Sequence, residues 1–117
     1  MKIRNAAMYD INEITAVESA CFPEAEAATR EEFEKRLVHY ADCFWLMTDD
    51  NGKIISFVDG MATDRRDLTD EMYENAALHD PNGLWQMIFG VNTLPEYRRR
   101  GYAEALLRRG AIDAKNR

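Results

Sequence analysis

No run of apolar residues in this chain is long enough to span a bilayer, and Met1-Lys-Ile-Arg-Asn5 opens no secretory signal pattern. A cytoplasmic location without a membrane partner is therefore expected. Cysteine is scarce. Cys21 and Cys43 are the only two, their spacing matches no metal site, and without a secretory signal they read as reduced, buried thiols. No metal is expected. No broad basic stripe with interleaved aromatics runs along the chain, which argues against a nucleic-acid partner. Repeats, low-complexity tracts and internal linkers are also missing, so residues 1–117 are expected to form one small domain.

A hydrophobic fraction of 46% is ordinary for a globular protein and sufficient for a core. The net charge of −6 is unevenly spread. Residues 97–117 hold seven Lys/Arg against two Asp/Glu, whereas residues 1–96 hold eight against nineteen. Such a field suits an anionic ligand at the C-terminal end and a cationic one elsewhere.

Lys2–Ala6 reads as a short strand. Asp10 with Glu13 forms a capping-box pattern before Ile11, Ile14, Val17 and Cys21 at helical spacing, and Pro23 ends that helix. Thr29 and Glu32 repeat the capping box ahead of Phe33, Leu37 and Tyr40. Cys43–Thr48 and Lys53–Thr63 read as two strands joined at Asp50-Asn51-Gly52, a hairpin turn that needs positive φ. Asp64–Gly83 is a long polar loop with a helical turn at Asp70–Ala77; such loops are often functional. Leu84–Leu94 reads as a third long strand, and Tyr102–Lys115 as a helix with Ala103, Leu106, Leu107, Gly110 and Ala114 on one face. Met61, Met72 and Met87 read as gap-fillers.

Between that last strand and helix lies Arg98-Arg-Arg-Gly-Tyr-Ala103. A helix start offers backbone N–H groups without intrahelical partners, at the positive end of the macrodipole. Gly101 and Ala103 leave room for a bulky anion to reach them, which makes a phosphate cradle. The spacing Arg-x-x-Gly-x-Ala resembles the coenzyme A pyrophosphate loop of the GNAT superfamily of N-acetyltransferases. The order of elements is similar to the first two-thirds of that fold, and the arylalkylamine N-acetyltransferase-like branch is the nearest match. Three stretches carry the likeness: Cys21–Thr29 with Phe33 and Arg36-Leu37; Leu68-Thr69 with Leu78–Gly83; and Val91–Ala103.

The resemblance implies an α+β (α/β) fold with a mixed, mostly antiparallel sheet flanked by helices, truncated after the helix that follows the fourth strand. It implies an acetyl-CoA-dependent transfer of acetyl directly to the primary amine of a small molecule, with acetyl-CoA as cosubstrate. The strand around Val91, Asn92 and Thr93 would pair with the pantetheine arm, and the N–H groups of Arg99, Arg100, Gly101, Tyr102 and Ala103 would hold the pyrophosphate. Arg98 would fix the loop. The thioester would lie near Phe89 and Val91.

Acetyl transfer needs a neutral amine, an oxyanion donor, an acid for the thiolate and aligned reactants. The branch is known for two histidines on the fourth strand; here those positions fall on Met87 and Phe89, and residues 84–94 contain no ionisable side chain. The base is thus unassigned, with His79, Glu24 and Glu26 as candidates; His79 ordinarily titrates near neutrality, and a carboxylate would also hold an ammonium. Phe22, Pro23, Glu24, Trp85 and Phe89 are candidates for an amine pocket, with core packing the competing reading. Two other functional classes remain open: a coenzyme A-binding domain with little or no catalysis, and a fold fragment completed by strand exchange in a homodimer.

Overall fold

Apolar spacing at Ile11, Ile14 and Val17, and again at Phe33, Leu37 and Tyr40, buries one side of each of two helices. The computed structural model describes all 117 residues. Its elements are β1 (Lys2–Asn5), α1 (Ile11–Cys21), α2 (Arg30–Tyr40), β2 (Phe44–Thr48), β3 (Ile54–Asp59), β4 (Ala62–Thr63), α3 (Asp70–Glu74), β5 (Trp85–Gln86), β6 (Gly90–Thr93) and α4 (Tyr102–Lys115). The principal sheet runs β1-β2-β3-β6, and β4 pairs with β5 in a second ladder. Every pairing is antiparallel, so the fold is α+β, with helices flanking an antiparallel sheet. No helix is long and apolar enough to cross a membrane.

Side chains alternate across the sheet. Phe44 and Phe57 meet Phe33 of α2 on one face, with ring centroids 6.1 and 5.8 Å away. Trp45 faces the opposite way, donates its indole N–H to Asp113 of α4 at 2.8 Å and packs over Gly110. Helices thus cover both faces, which is why every residue of β2 and β3 is buried. On α4 itself, Leu106 and Gly110 face the core, while Leu107 lies on the solvent side, contrary to the expected stripe.

The Thr29 capping box forms as the spacing predicts: Glu32 N donates to Thr29 Oγ1 at 3.2 Å, and Thr29 N donates to Glu32 Oε1 at 3.4 Å. The Asp10–Glu13 box does not. Arg4 holds the Asp10 carboxylate through two 2.8 Å bonds, and Ala7 N donates to it at 2.9 Å. Burial alone would raise the Asp10 pKa, but these bonds outweigh it and hold the carboxyl below its usual range. Glu13 instead accepts from Ile54 N at 2.6 Å, tying α1 to the hairpin. In the hairpin turn only Gly52 has positive φ, at 84°.

The two long strands expected at Lys53–Thr63 and Leu84–Leu94 are each broken. Between the pairs Asp59↔Gly90 and Ala62↔Gln86, residues 60–61 face residues 87–89, so one side carries an extra residue. This is a bulge. It is clamped by Phe89 N donating to Asp59 O at 2.7 Å and Met87 N to Met61 O at 2.9 Å. Only glycine fits opposite it, since a Cβ on Gly60 would lie 1.8 Å from Met87 O. Gly60→Ala should therefore destabilise the chain by about 1–3 kcal/mol in urea unfolding, the usual cost of overpacking. An unchanged midpoint would contradict this close approach.

Candidate functional site

The bulge parts the two ladders and leaves β6 as an edge of the principal sheet, paired only with β3. Two clefts flank this edge and share Phe22 as a wall.

The first cleft, about 490 Å³, lies between the end of α1, β6 and the start of α4. Val91, Thr93, Arg98, Arg99, Gly101, Tyr102 and Ala103 line it. The chain turns sharply there, with Arg99 and Gly101 both left-handed at φ 65° and 81°. No side chain caps α4. The backbone N–H groups of Arg99 to Glu104 have no partner among the turn and cap hydrogen bonds of the chain. Nothing lies within 4 Å of where a Gly101 side chain would start. An open, uncapped helix N-terminus of this kind fits a phosphate group. Arg98 Nε donates to Thr93 O at 3.0 Å and pins the loop to β6. Two of the expected cofactor residues turn their side chains elsewhere. The Arg100 guanidinium lies over the Tyr97 ring at 5.5 Å, outside the cleft. Asn92 is buried and bonded to Glu18 of α1, because alternation turns it away from the Val91 and Thr93 face.

The second cleft, about 390 Å³, lies on the α1/α2 side of β6. Phe22, Tyr73 and Phe89 form apolar walls, Glu18, Glu26 and Glu32 supply acids, and Arg36 and Asp59 lie at its base. Arg36 Nη1 donates to Asp59 Oδ2 at 3.1 Å, with both side chains buried. Tyr40 donates to the same oxygen at 3.5 Å. Burial pushes the Asp59 pKa up to about 6; Arg36 pulls it down, and Glu18 adds to the rise. Burial likewise raises the Tyr40 hydroxyl far above its usual value. Asp59 is thus the one carboxyl in a cleft whose pKa is shifted toward neutrality.

The sequence-level candidates divide. Phe22, Phe89 and Glu26 line the second cleft. Glu24 lines a neighbouring groove with Thr15, Ser19 and Thr29, which shares Phe22, Ala27 and Ala28 with the second cleft. Pro23 lines none of the clefts, and Trp85 is exposed on β5, away from them. His79 is a structural residue rather than a base: its Nδ1 accepts from Ala62 N at 3.0 Å, and its ring packs 5.4 Å from that of Tyr40. Burial lowers its pKa. Asp42, Cys43 and His79 place ligand-type atoms within 4.8 Å of one another. Burial raises the Cys43 thiol to about 11, and Arg117 already supplies a cation, donating to Cys43 Sγ at 3.4 Å. Cys21 is also a free thiol, donating to Thr93 O at 3.4 Å.

Asp59, Glu18 and Arg36 were not legible as a site. A weak signal existed in Ile54-Ile-Ser-Phe-Val-Asp59, where an acid ends an apolar strand, and in Arg36, which stands among the apolar positions of α2.

The family model described as acetyltransferase (GNAT) family matches residues 8–117. Among solved structures, the GphF GNAT-like decarboxylase in complex with isobutyryl-CoA aligns with a TM-score of 0.84 and 25% identity, covering 100% of this chain and 60% of that one. The loading GNATL domain of CurA from Lyngbya majuscula aligns at 0.82 and 21%, covering 95% and 56%. The ribosomal-protein-S18-alanine N-acetyltransferase from Escherichia coli aligns at 0.70 and 16%, covering 98% and 59%. The chain therefore spans less than two-thirds of the length of these structures. A search of curated proteins returns no match.

Proposed function

The chain belongs to the acetyltransferase (GNAT) family, and we propose that it transfers the acetyl group of acetyl-CoA directly to the primary amine of a small molecule. The observation that carries this reading is the junction at Phe22. An uncapped helix N-terminus suited to phosphate lies on one side, and an acid-lined, aromatic-walled cleft suited to an ammonium on the other. Bound acetyl-CoA supplies a thioester carbonyl, to which the amine nitrogen bonds as the C–S bond breaks and coenzyme A leaves as its thiol.

The roles of the chain's own residues follow from their positions. The N–H groups of Arg99 to Ala103 hold the pyrophosphate, with Arg98 fixing the loop on Thr93. The open edge of β6 offers its backbone to the amides of the pantetheine arm. Phe22, Tyr73 and Phe89 exclude water beside the reacting nitrogen. This is the arylalkylamine-like reading of the branch, with the strand-borne histidines replaced by Met87 and Phe89.

The test is calorimetric titration with acetyl-CoA, followed by coenzyme A thiol release with a panel of primary amines. Saturable binding and amine-dependent release are expected. Binding without release would favour a coenzyme A-binding domain without catalysis, and no binding would overturn the reading.

A second reading is decarboxylation of a carboxyacyl-CoA, favoured by the 25% identity to the GphF GNAT-like decarboxylase. Four acids against a single arginine in the second cleft weigh against a carboxylate there. CO₂ release from malonyl-CoA, with no acetyl transfer to amines, would reverse this order. The open β6 edge also admits strand exchange with a second copy. A monomeric mass in the presence of acetyl-CoA would reject that alternative.

A further inference from the structure

Two buried oxygens at the second cleft have no hydrogen-bond partner: Asp59 Oδ1, on a residue that lines it, and Asn92 Oδ1, on a residue just behind its lining; Arg36 Nε in the same cleft is also unpartnered. Asp59 and Asn92 are almost wholly inaccessible, at 0% and 1% exposure. Buried acceptors of this kind ordinarily find donors. Register puts them on one face, because Asp59 lies opposite Gly90 and Phe57 opposite Asn92. They converge on one point: a Cβ on Gly90 would lie 3.1 Å from Asp59 Oδ1 and 3.5 Å from Asn92 Oδ1. Gly90 lines the cleft, and its missing side chain leaves the two oxygens uncovered on that side.

The remaining atoms of both side chains are committed. Asp59 Oδ2 accepts from Arg36 and Tyr40, and Asn92 Nδ2 donates to Glu18 Oε1. Glu18 Oε2 accepts from Ala28 N at 2.7 Å, which holds the Glu18–Asn92 pair in place. That network orients the Asn92 amide with its oxygen toward Gly90. The two oxygens present acceptors to a group that donates, and the acids of the cleft outnumber its one arginine, so a small cation with several N–H groups suits them better than a carboxylate.

We propose that Asp59 Oδ1 and Asn92 Oδ1 seat the primary ammonium of the substrate beside Gly90, and that Asp59 takes its proton. The inference rests on the amine reading above and deepens it by naming the seat and the base. In the step, one N–H bond of R–NH₃⁺ breaks and an O–H bond forms on Asp59. The ammonium becomes a neutral amine with a free lone pair, and the carboxylate becomes a neutral acid that later returns the proton to water. The charged groups facing Asp59 are Arg36 from α2 and Glu18 from α1, with the neutral Tyr40 hydroxyl beside them; β6 contributes none. Arg36 keeps Asp59 ionised enough to accept a proton at neutral pH, while burial keeps it basic enough to be useful.

The test uses the protein saturated with coenzyme A, titrated calorimetrically with ethylammonium, 2-phenylethylammonium and 1,4-diaminobutane, and with 2-phenylethanol as the uncharged counterpart. Wild type is expected to bind at least one ammonium, and 2-phenylethanol at least tenfold more weakly than 2-phenylethylammonium. Gly90→Ala, which fills the seat without changing charge, and Asp59→Asn are each expected to weaken ammonium binding tenfold or more. Coenzyme A affinity should stay within twofold. In turnover, the acidic limb of kcat/KM should lie near pH 6 whichever amine is used and should vanish in Asp59→Asn. Should Asp59→Asn fail to fold, Gly90→Ala carries the binding test alone. Binding of no ammonium, equal binding of the alcohol, or ammonium affinity within twofold of wild type in the folded variants would each overturn the seat. Seat binding without acetyl transfer would overturn the amine acetyltransferase reading and leave the seat standing. Acetyl transfer with unaltered ammonium affinity in both variants would do the reverse.

Discussion

Gly101→Glu is expected to abolish acetyl-CoA binding while leaving the chain folded. Gly101 sits at φ 81°, and nothing lies within 4 Å of its side-chain position. A side chain therefore starts into open space there, and the loss of binding comes from its charge. A residue with a side chain in left-handed conformation costs about 1–2 kcal/mol. A carboxylate about 4 Å from a phosphate charge costs about 4 kcal/mol at the effective dielectric of a protein surface. The repulsion alone amounts to nearly three decades in affinity, since 1.4 kcal/mol is about tenfold, whereas the strain falls on free and bound chain alike and lowers stability. The same carboxylate favours the α4 N-terminus by about 0.3–1 kcal/mol, which offsets part of the strain and keeps the helix intact. Gly101→Ala separates the two: carrying the strain without the charge, it should lower stability while weakening binding far less than Gly101→Glu. Calorimetric titration of both variants with acetyl-CoA decides the matter, and undiminished affinity in Gly101→Glu would remove the cradle from the mechanism.

Arg36→Ala is expected to cost about 3–5 kcal/mol at neutral pH, the usual penalty for leaving one member of a buried ion pair alone. Arg36 and Asp59 are both buried, and the guanidinium also packs 5.3 and 5.6 Å from the rings of Phe33 and Phe89. The pH dependence carries a definite sign. The folded Asp59 carboxyl titrates near 6, above its ordinary 3.8, because burial penalises the charged form more than Arg36 relieves it. The folded state therefore holds that proton more tightly than the unfolded chain. Its contribution is present at low pH and is lost as pH rises through the folded value. Without Arg36 that value climbs further, so the variant should be markedly less stable at pH 8 than at pH 5. Asp59→Asn placed in the Arg36→Ala background removes the unpaired charge and should recover much of the loss at pH 8. Urea unfolding of the three proteins at both pH values measures this. Equal stability of Arg36→Ala and wild type at pH 8 would mean that Asp59 is already protonated in the wild type.

The Asp59 site was illegible for a physical reason. Asp59 is separated from Gly90 by 31 positions and from Arg36 by 23, and no local spacing relates them. Register of β3 against β6 brings the first pair together, and packing of α2 on the sheet brings the second. His79 misled for the converse reason. Its titration range suits catalysis, yet its ring is spent on Ala62 N and Tyr40 once the loop folds back. Glu26 and Phe89 reached the cleft, whereas Glu24 and Trp85 did not, though nothing in their types distinguishes them.

Local chemistry by itself determined the helices, the Thr29 capping box, the Gly52 turn and the small-residue helix start at Arg98–Ala103. Each depends on contacts within a few residues, where side-chain type and spacing decide the outcome. The α+β class was what the family resemblance of the element order implied. Only the tertiary structure decided the bulge at Gly60, the turning of Asn92 away from the Val91 and Thr93 face, and the convergence of Asp59 and Asn92 on Gly90. These depend on strand register and on burial, which set whether an ordinary carboxylate is a solvated acid or an unpartnered acceptor near neutral pH.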